Sequence, residues 1–119
     1  MLEGLWTATF ASDMDAFGEG SPSDGSGIVI FEENRILGGD AFYYYKGHYE
    51  MVAENKFKGL LHVTRYIDNA NSIFGNLSEF DLDFIAEING KEIIGTGFLV
   101  QFKTATFAAK LIKRADLTV

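Results

Sequence analysis

Apolar and polar positions alternate along most of this chain. From Phe80 to Ile88, the residues Phe80, Leu82, Phe84, Ala86 and Ile88 alternate with Asp81, Asp83 and Glu87, a period of two that puts one face of a β-strand in a core and the other in water. "GLWTATFA" sets Trp6, Ala8 and Phe10 against Thr7 and Thr9, and "FAAKLIKR" sets Phe107, Ala109 and Leu111 against Lys110. "GIVIFEENRIL" reads as a hairpin in which Glu33-Asn34 supplies a polar turn, and "INGKEII" carries Asn89-Gly90, the strongest short hairpin signal. Further strands are predicted around Phe42 to Val52, Phe57 to Tyr66 and Ile93 to Phe102, which brings the count to about eight at spacings of roughly 8 to 14 residues. Such spacing predicts an antiparallel barrel or sandwich.

Two stretches interrupt the alternation. "SDMDAFGEGSPSDGSG", from Ser12 to Gly27, is rich in glycine and acids and holds the only proline, so a mobile loop between the first two strands is expected, either a lid or a long connection. "DNANSIFGNLSE", from Asp68 to Glu79, has turn formers around Ile73, Phe74 and Leu77, and one short helical turn capping the barrel is expected there.

The stretch "ILGGDAFYYYKGHYE" from Ile36 to Glu50 holds the most distinctive pattern. In an extended strand Tyr43, Tyr45, Tyr49 and Met51 share one face with Gly47, while Phe42, Tyr44, Lys46, His48 and Glu50 share the other. The first face is expected to point inward. Phenols line an interior only where their hydroxyls find partners, so this face suits either simple packing or a partly wet cavity or interface. Gly38 and Gly39 allow a sharp bend, and Asp40 is placed to bond the backbone amides that a bend frees.

Composition narrows the function classes. A chain of 119 residues, 47% hydrophobic with one proline, is expected to form a single ordered domain over residues 1–119. It has no apolar run of membrane-spanning length, and "MLEGLWTATF" lacks the basic start and apolar core of a signal peptide. A cytoplasmic location is expected. The absence of cysteine removes thiolate catalysis and cysteine-based zinc sites. A net charge of −7 with scattered basic residues argues against direct binding of nucleic acid.

Little in the chain looks catalytic. His48 and His62, the two histidines, fall on the outward face of their strands and read as surface residues rather than acid/base or metal groups. No Gly-x-Ser-x-Gly setting is present, and the glycine-rich "GEGSPSDGSG" leads into a strand rather than a helix. Asp13, Asp15, Glu19 and Asp24 lack calcium-loop spacing. Neither catalysis nor any metal or cofactor is expected.

"GLW", "GSGIVIF", "ILGGDAFYYYKG", "HVTRY" and "SIFGN" occur in an order and spacing that resembles the GrlR-like family of bacterial proteins, negative regulators of type III secretion. The likeness spans nearly the whole chain. Its most specific part is Gly38-Gly39-Asp40 followed by Tyr45-x-Gly47, with Arg65-Tyr66 and Phe74-Gly75 downstream. The resemblance implies an eight-stranded lipocalin-like barrel, a homodimer, and action by sequestering a transcriptional activator. In the founding repressor an acidic Glu-Asp-Glu-Asp run follows this strand; here the stretch is "HYEMVAENKFKG", with Glu50 and Glu54 apart and Lys56 and Lys58 close behind.

With that resemblance the expected fold is all-β: an up-and-down, lipocalin-like antiparallel barrel of about eight strands with at most one short helix. Gly4-Leu5-Trp6 resembles the Gly-x-Trp signature of such barrels, and Arg114 is the basic residue expected to stack over the indole and close one end. Two functions follow. In the first, the protein binds a protein partner, plausibly a basic DNA-binding regulator, through Glu50, Glu54, Asp81, Asp83 and Glu87. In the second, it carries or senses a small apolar ligand in a cavity lined by Tyr43, Tyr45, Phe84 and Phe98. Leu60, Ile85 and Ile112 are the outward apolar residues expected at a homodimer interface.

Overall fold

A computed structural model describes residues 2–11, 25–68, 72 and 74–118. The chain forms β1 (Gly4–Ala11), β2 (Gly25–Glu32), β3 (Arg35–Gly39), β4 (Tyr43–Ala53), β5 (Lys56–Arg65), β6 (Glu79–Asn89), β7 (Glu92–Leu99) and β8 (Phe102–Ala115). Each strand pairs antiparallel with the next, and β8 returns to β1 to close the barrel. Closure leaves no strand edge for another chain to extend. The expected fold is therefore present: an all-β, up-and-down lipocalin-like barrel.

Period two decides which side chains fill the barrel. On β6, Phe80, Leu82 and Ala86 are buried while Asp81, Asp83 and Glu87 look outward, and on β4, Tyr43, Tyr45 and Tyr49 are buried. Met51 continues the inward parity of β4 but lies 46% exposed, where the ladder with β5 shifts register between Met51 and Ala53. At one end of the barrel Trp6, Phe31, Tyr49 and Phe57 meet through edge-to-face contacts, the arrangement that aromatic quadrupoles favour.

The turns follow the sequence signals with two shifts. Glu33 and Asn34 both take positive φ, 50° and 66°, the signature of a type I′ hairpin. At the second hairpin Asn89 remains in the ladder opposite Glu92, and the turn is Gly90-Lys91 with positive φ at Gly90 alone. That sign pattern belongs to type II′, in which glycine comes first. The predicted strand from Ile93 to Phe102 is broken by a reversal at Val100-Gln101, so Phe102 begins β8. No turn-forming residue marks that reversal; instead Gln101 donates to Asp81 Oδ2 and accepts from the Asp81 amide, both at 3.1 Å.

Gly25, Ser26 and Gly27 belong to β2 rather than to a loop. The rest of the loop expected from Ser12, with Asp13, Asp15, Glu19 and Asp24, lies outside the described residues. Between β5 and β6 the described residues hold a tight Ser72–Gly75 turn and no helix. Phe74 from that turn packs edge-to-face on Phe80 and Phe107, so the segment caps the barrel, and its described residues form a turn where a helical turn was expected.

Candidate functional site

The β3–β4 connection is built by one carboxylate. Asp40 Oδ1 accepts the backbone N–H of Phe42 and of Tyr43, each at 2.8 Å, and the Asp40 amide donates to Tyr43 O at 2.9 Å. Asp40 Oδ2 accepts the Tyr45 hydroxyl. The Asp40 carbonyl accepts the Tyr66 hydroxyl, while the Tyr66 amide donates to Phe42 O at 2.9 Å. Gly27 makes this packing possible: a Cβ there would come within 2.8 Å of the Tyr45 hydroxyl and 3.2 Å of Asp40 Cβ.

Beside this turn lies a cavity of about 300 Å³. It is walled by aromatic and aliphatic side chains, among them Phe10, Tyr43, Tyr45, Phe74, Phe80 and Phe107, with Asp40, Ser26 and Ser72 as polar contributors. Tyr43 donates its hydroxyl to Leu77 O at 3.0 Å. Both phenols of the cavity, Tyr43 and Tyr45, are thus satisfied, and both remain available as walls. Burial, the bond to Asp40 and the Asp40 charge together hold the Tyr45 hydroxyl far above its usual range, so it stays a neutral donor.

The predicted cavity residues divide. Tyr43 and Tyr45 line the cavity. Phe84 points inward but toward the Trp6 end, where it contacts Phe57 and borders a smaller, wholly apolar void of about 70 Å³. Phe98 faces outward, opposite Asp83 and Thr106 on the neighbouring strands. The inward set on β7 is Ile93, Gly95, Gly97 and Leu99, so Phe98 has the wrong parity for the interior. Phe10, Phe80 and Phe107 were readable as inward from alternation; Gly25, Ser26 and Phe74 reach the cavity through packing that no local pattern signals.

Arg114 does not close the barrel over Trp6. Its Nε donates to Thr7 Oγ1 at 2.8 Å on the outer face: Trp6 stands opposite Lys113 and Thr7 opposite Ile112 in one unbroken register, so Arg114 shares the outward parity of Ile112. Trp6 is fully buried, and its indole N–H donates to Leu2 O at 2.9 Å. The segment before β1 covers the indole instead.

The outward acids are partly neutralised by neighbours. Glu50 pairs with Lys58 at 3.3 Å and Glu87 with Lys56 at 3.2 Å. Asp81 Oδ1 meets His62 Nδ1 at 2.5 Å, and Glu79 Oε1 meets His62 Nε2 at 2.8 Å. Hydrogen bonding to Asp81, then to Glu79, pushes the His62 imidazole up, and its bond to Asp81 pulls that carboxyl down. Glu54 sits in the β4–β5 turn, and Asp83 faces solvent opposite Leu60. Leu60, Ile85 and Ile112 are outward and 42%, 47% and 36% exposed. Among the described residues no group of acids and histidines is arranged to hold a metal ion.

A comparison with protein-family models finds no match for this chain, and a search of curated proteins finds none similar in sequence.

Proposed function

We propose that the protein works by binding rather than by catalysis, as a GrlR-like regulator that engages a protein partner such as a transcriptional activator. The observation that supports this reading most is a convergence. Gly38-Gly39-Asp40, Arg65-Tyr66 and Phe74-Gly75, the fragments that carry the family resemblance, meet at the same end of the barrel: Asp40 bonds Tyr66, Arg65 donates to Asn76 beside Gly75, and Phe74 shares the cavity wall with Asp40. On the rim of that end Phe42, Tyr44, Tyr66 and Ile67 are 47%, 47%, 53% and 43% exposed. Apolar groups clustered on a rim suit a protein contact better than solvent. Glu54 and Asp83 are the predicted acids best placed to attract a basic regulator, since Glu50, Glu87 and Asp81 already hold cations or histidine. Exposed charges of this kind speed encounter more than they add affinity.

The test is affinity capture from the native host with mass spectrometry, comparing the natural chain with a Phe42→Ser/Tyr44→Ser variant. A protein held by the first and lost by the second, with thermal stability retained, supports the reading; identical captures would reject the rim.

A second reading, a carrier or sensor of a small ligand, draws on the cavity. At about 300 Å³ with an aromatic wall and few polar groups, it has the size and lining of a small-molecule site at the lower end of the usual range.

A further inference from the structure

From the cavity wall we infer the charge class of the ligand: an aromatic or apolar molecule of small size carrying a cationic amine, with anionic ligands such as carboxylates and fatty acids excluded. The inference rests on the second reading above and sharpens it. The described residues that line the cavity include one charged side chain, the carboxylate of Asp40, and no lysine, arginine or histidine. The stretches of sequence 12–24 and 69–71 contain no basic residue either. Of the cations at this end, Arg65 does not line the cavity and its Nη1 donates to Asn76 at 2.6 Å, while Lys103 stands exposed near the start of β8.

Asp40 lines the cavity and keeps an acceptor site for such a contact. Its Oδ1 is occupied by two backbone N–H groups and its Oδ2 by the single donor of Tyr45. A carboxylate oxygen has two acceptor sites, so Oδ2 keeps one for a donor arriving from the cavity. An ammonium there gains a charge-assisted hydrogen bond in surroundings that, apart from Ser26 and Ser72, consist of rings and aliphatic groups. A carboxylate in the same place meets like charge with no counter-ion, in a setting where an unpaired charge is costly. The aromatic rings Phe10, Phe80 and Phe107 add faces and edges on which an aryl body packs. The volume bounds the size: about 300 Å³ equals roughly ten water molecules at about 30 Å³ each, enough for one ring and a short chain.

Three probes of one shape separate charge from size: 2-phenylethylamine, 2-phenylethanol and phenylacetate, each titrated at pH 7 while amide chemical shifts of the whole chain are followed. The amine is expected to bind roughly tenfold or more tighter than the alcohol, as an added charged hydrogen bond implies, and phenylacetate is expected not to bind. Asp40→Asn keeps an oxygen for the two backbone amides and removes the charge, so it should bring the amine down to the alcohol. Tyr45→Phe leaves the turn bonds intact and frees Oδ2, so it should tighten the amine and leave phenylacetate unbound. Phenylacetate binding as tightly as the amine would overturn the charge assignment and leave the ligand-site reading standing. Failure of all three probes to move any cavity resonance would overturn both.

Discussion

Asp40 accepts two backbone amides through one oxygen and the Tyr45 hydroxyl through the other, so alanine at this position deprives a part-buried turn and a buried phenol of their acceptor together. The expected loss is about 1 to 3 kcal/mol in chemical denaturation, with Asp40→Asn costing less because the side-chain oxygen survives. On the outer face His62 bridges Asp81 and Glu79, and its folded-state pKa is raised by those bonds. The contribution is therefore fully present below the unfolded value of about 6.5 and is lost as pH rises through the folded value. Asp81 gives the other half of the same contact: lowered in the fold, it contributes above its unfolded value and loses that contribution as pH falls through the folded one. The site is near the surface, so the effect is roughly 0 to 1 kcal/mol. Denaturation midpoints of His62→Gln and the natural chain should converge as pH rises from 6 to 9; a gap that is constant over this range would show that the bridge adds nothing.

At the scale of elements, glycines set the curvature that closes the sheet. A Cβ on Gly38 would fall 2.1 Å from Ile28 O, and on Gly47, Gly59 and Gly97 within 2.1, 2.2 and 2.0 Å of carbonyl oxygens of the adjacent strands. Backbone cannot yield there as a side-chain tip can, and glycine kinks are how small barrels turn. Gly39 is looser, with 3.1 Å to Tyr43 O. Gly38→Ala is thus expected to lower stability by about 1 to 3 kcal/mol, and more than Gly39→Ala, by thermal unfolding. Gly38 and Gly39 stay in a regular ladder with β2 and β4, and the part of the Gly-Gly-Asp expectation that is present is Asp40 accepting the amides of the turn; alternation alone identified the inward faces of β1, β4 and β6. What the sequence hid has a common cause: long-range geometry replaced a local signal. Val100-Gln101 turns without glycine because the Gln101 amide bonds Asp81 across the ladder. Phe98 looked inward because the reversal at Val100-Gln101 that ends β7 was invisible; Arg114 is the exception, since the outward parity it shares with Ile112 was legible in the alternation of β8.

The molecule as a whole is asymmetric along its axis. The Trp6 end is the more densely packed: Phe57 is 1% exposed, its ring contacts Phe31, Tyr49 and Phe84, and the void it borders is only about 70 Å³. The Asp40 end holds the larger, partly open cavity, and Phe74, which contacts Phe80 and Phe107, forms part of that cavity's wall. Removing a ring that packs on three others beside a small, wholly apolar void loses its transfer free energy and leaves a large dry hole, whereas removing one from the wall of the larger cavity enlarges a space that can take up water beside Asp40, Ser26 and Ser72. Phe57→Ala is accordingly expected to cost about 3 to 5 kcal/mol, the usual range for a buried phenylalanine. Phe74→Ala should cost less than half of that and should weaken the binding of a cavity ligand while leaving the fold intact. Urea denaturation of the two variants measures the difference directly. Equal losses would mean that the Asp40 end is packed as tightly in solution as the Trp6 end, and would count against a ligand site in the barrel while leaving the exposed rim of Phe42, Tyr44, Tyr66 and Ile67 as the surface on which function depends.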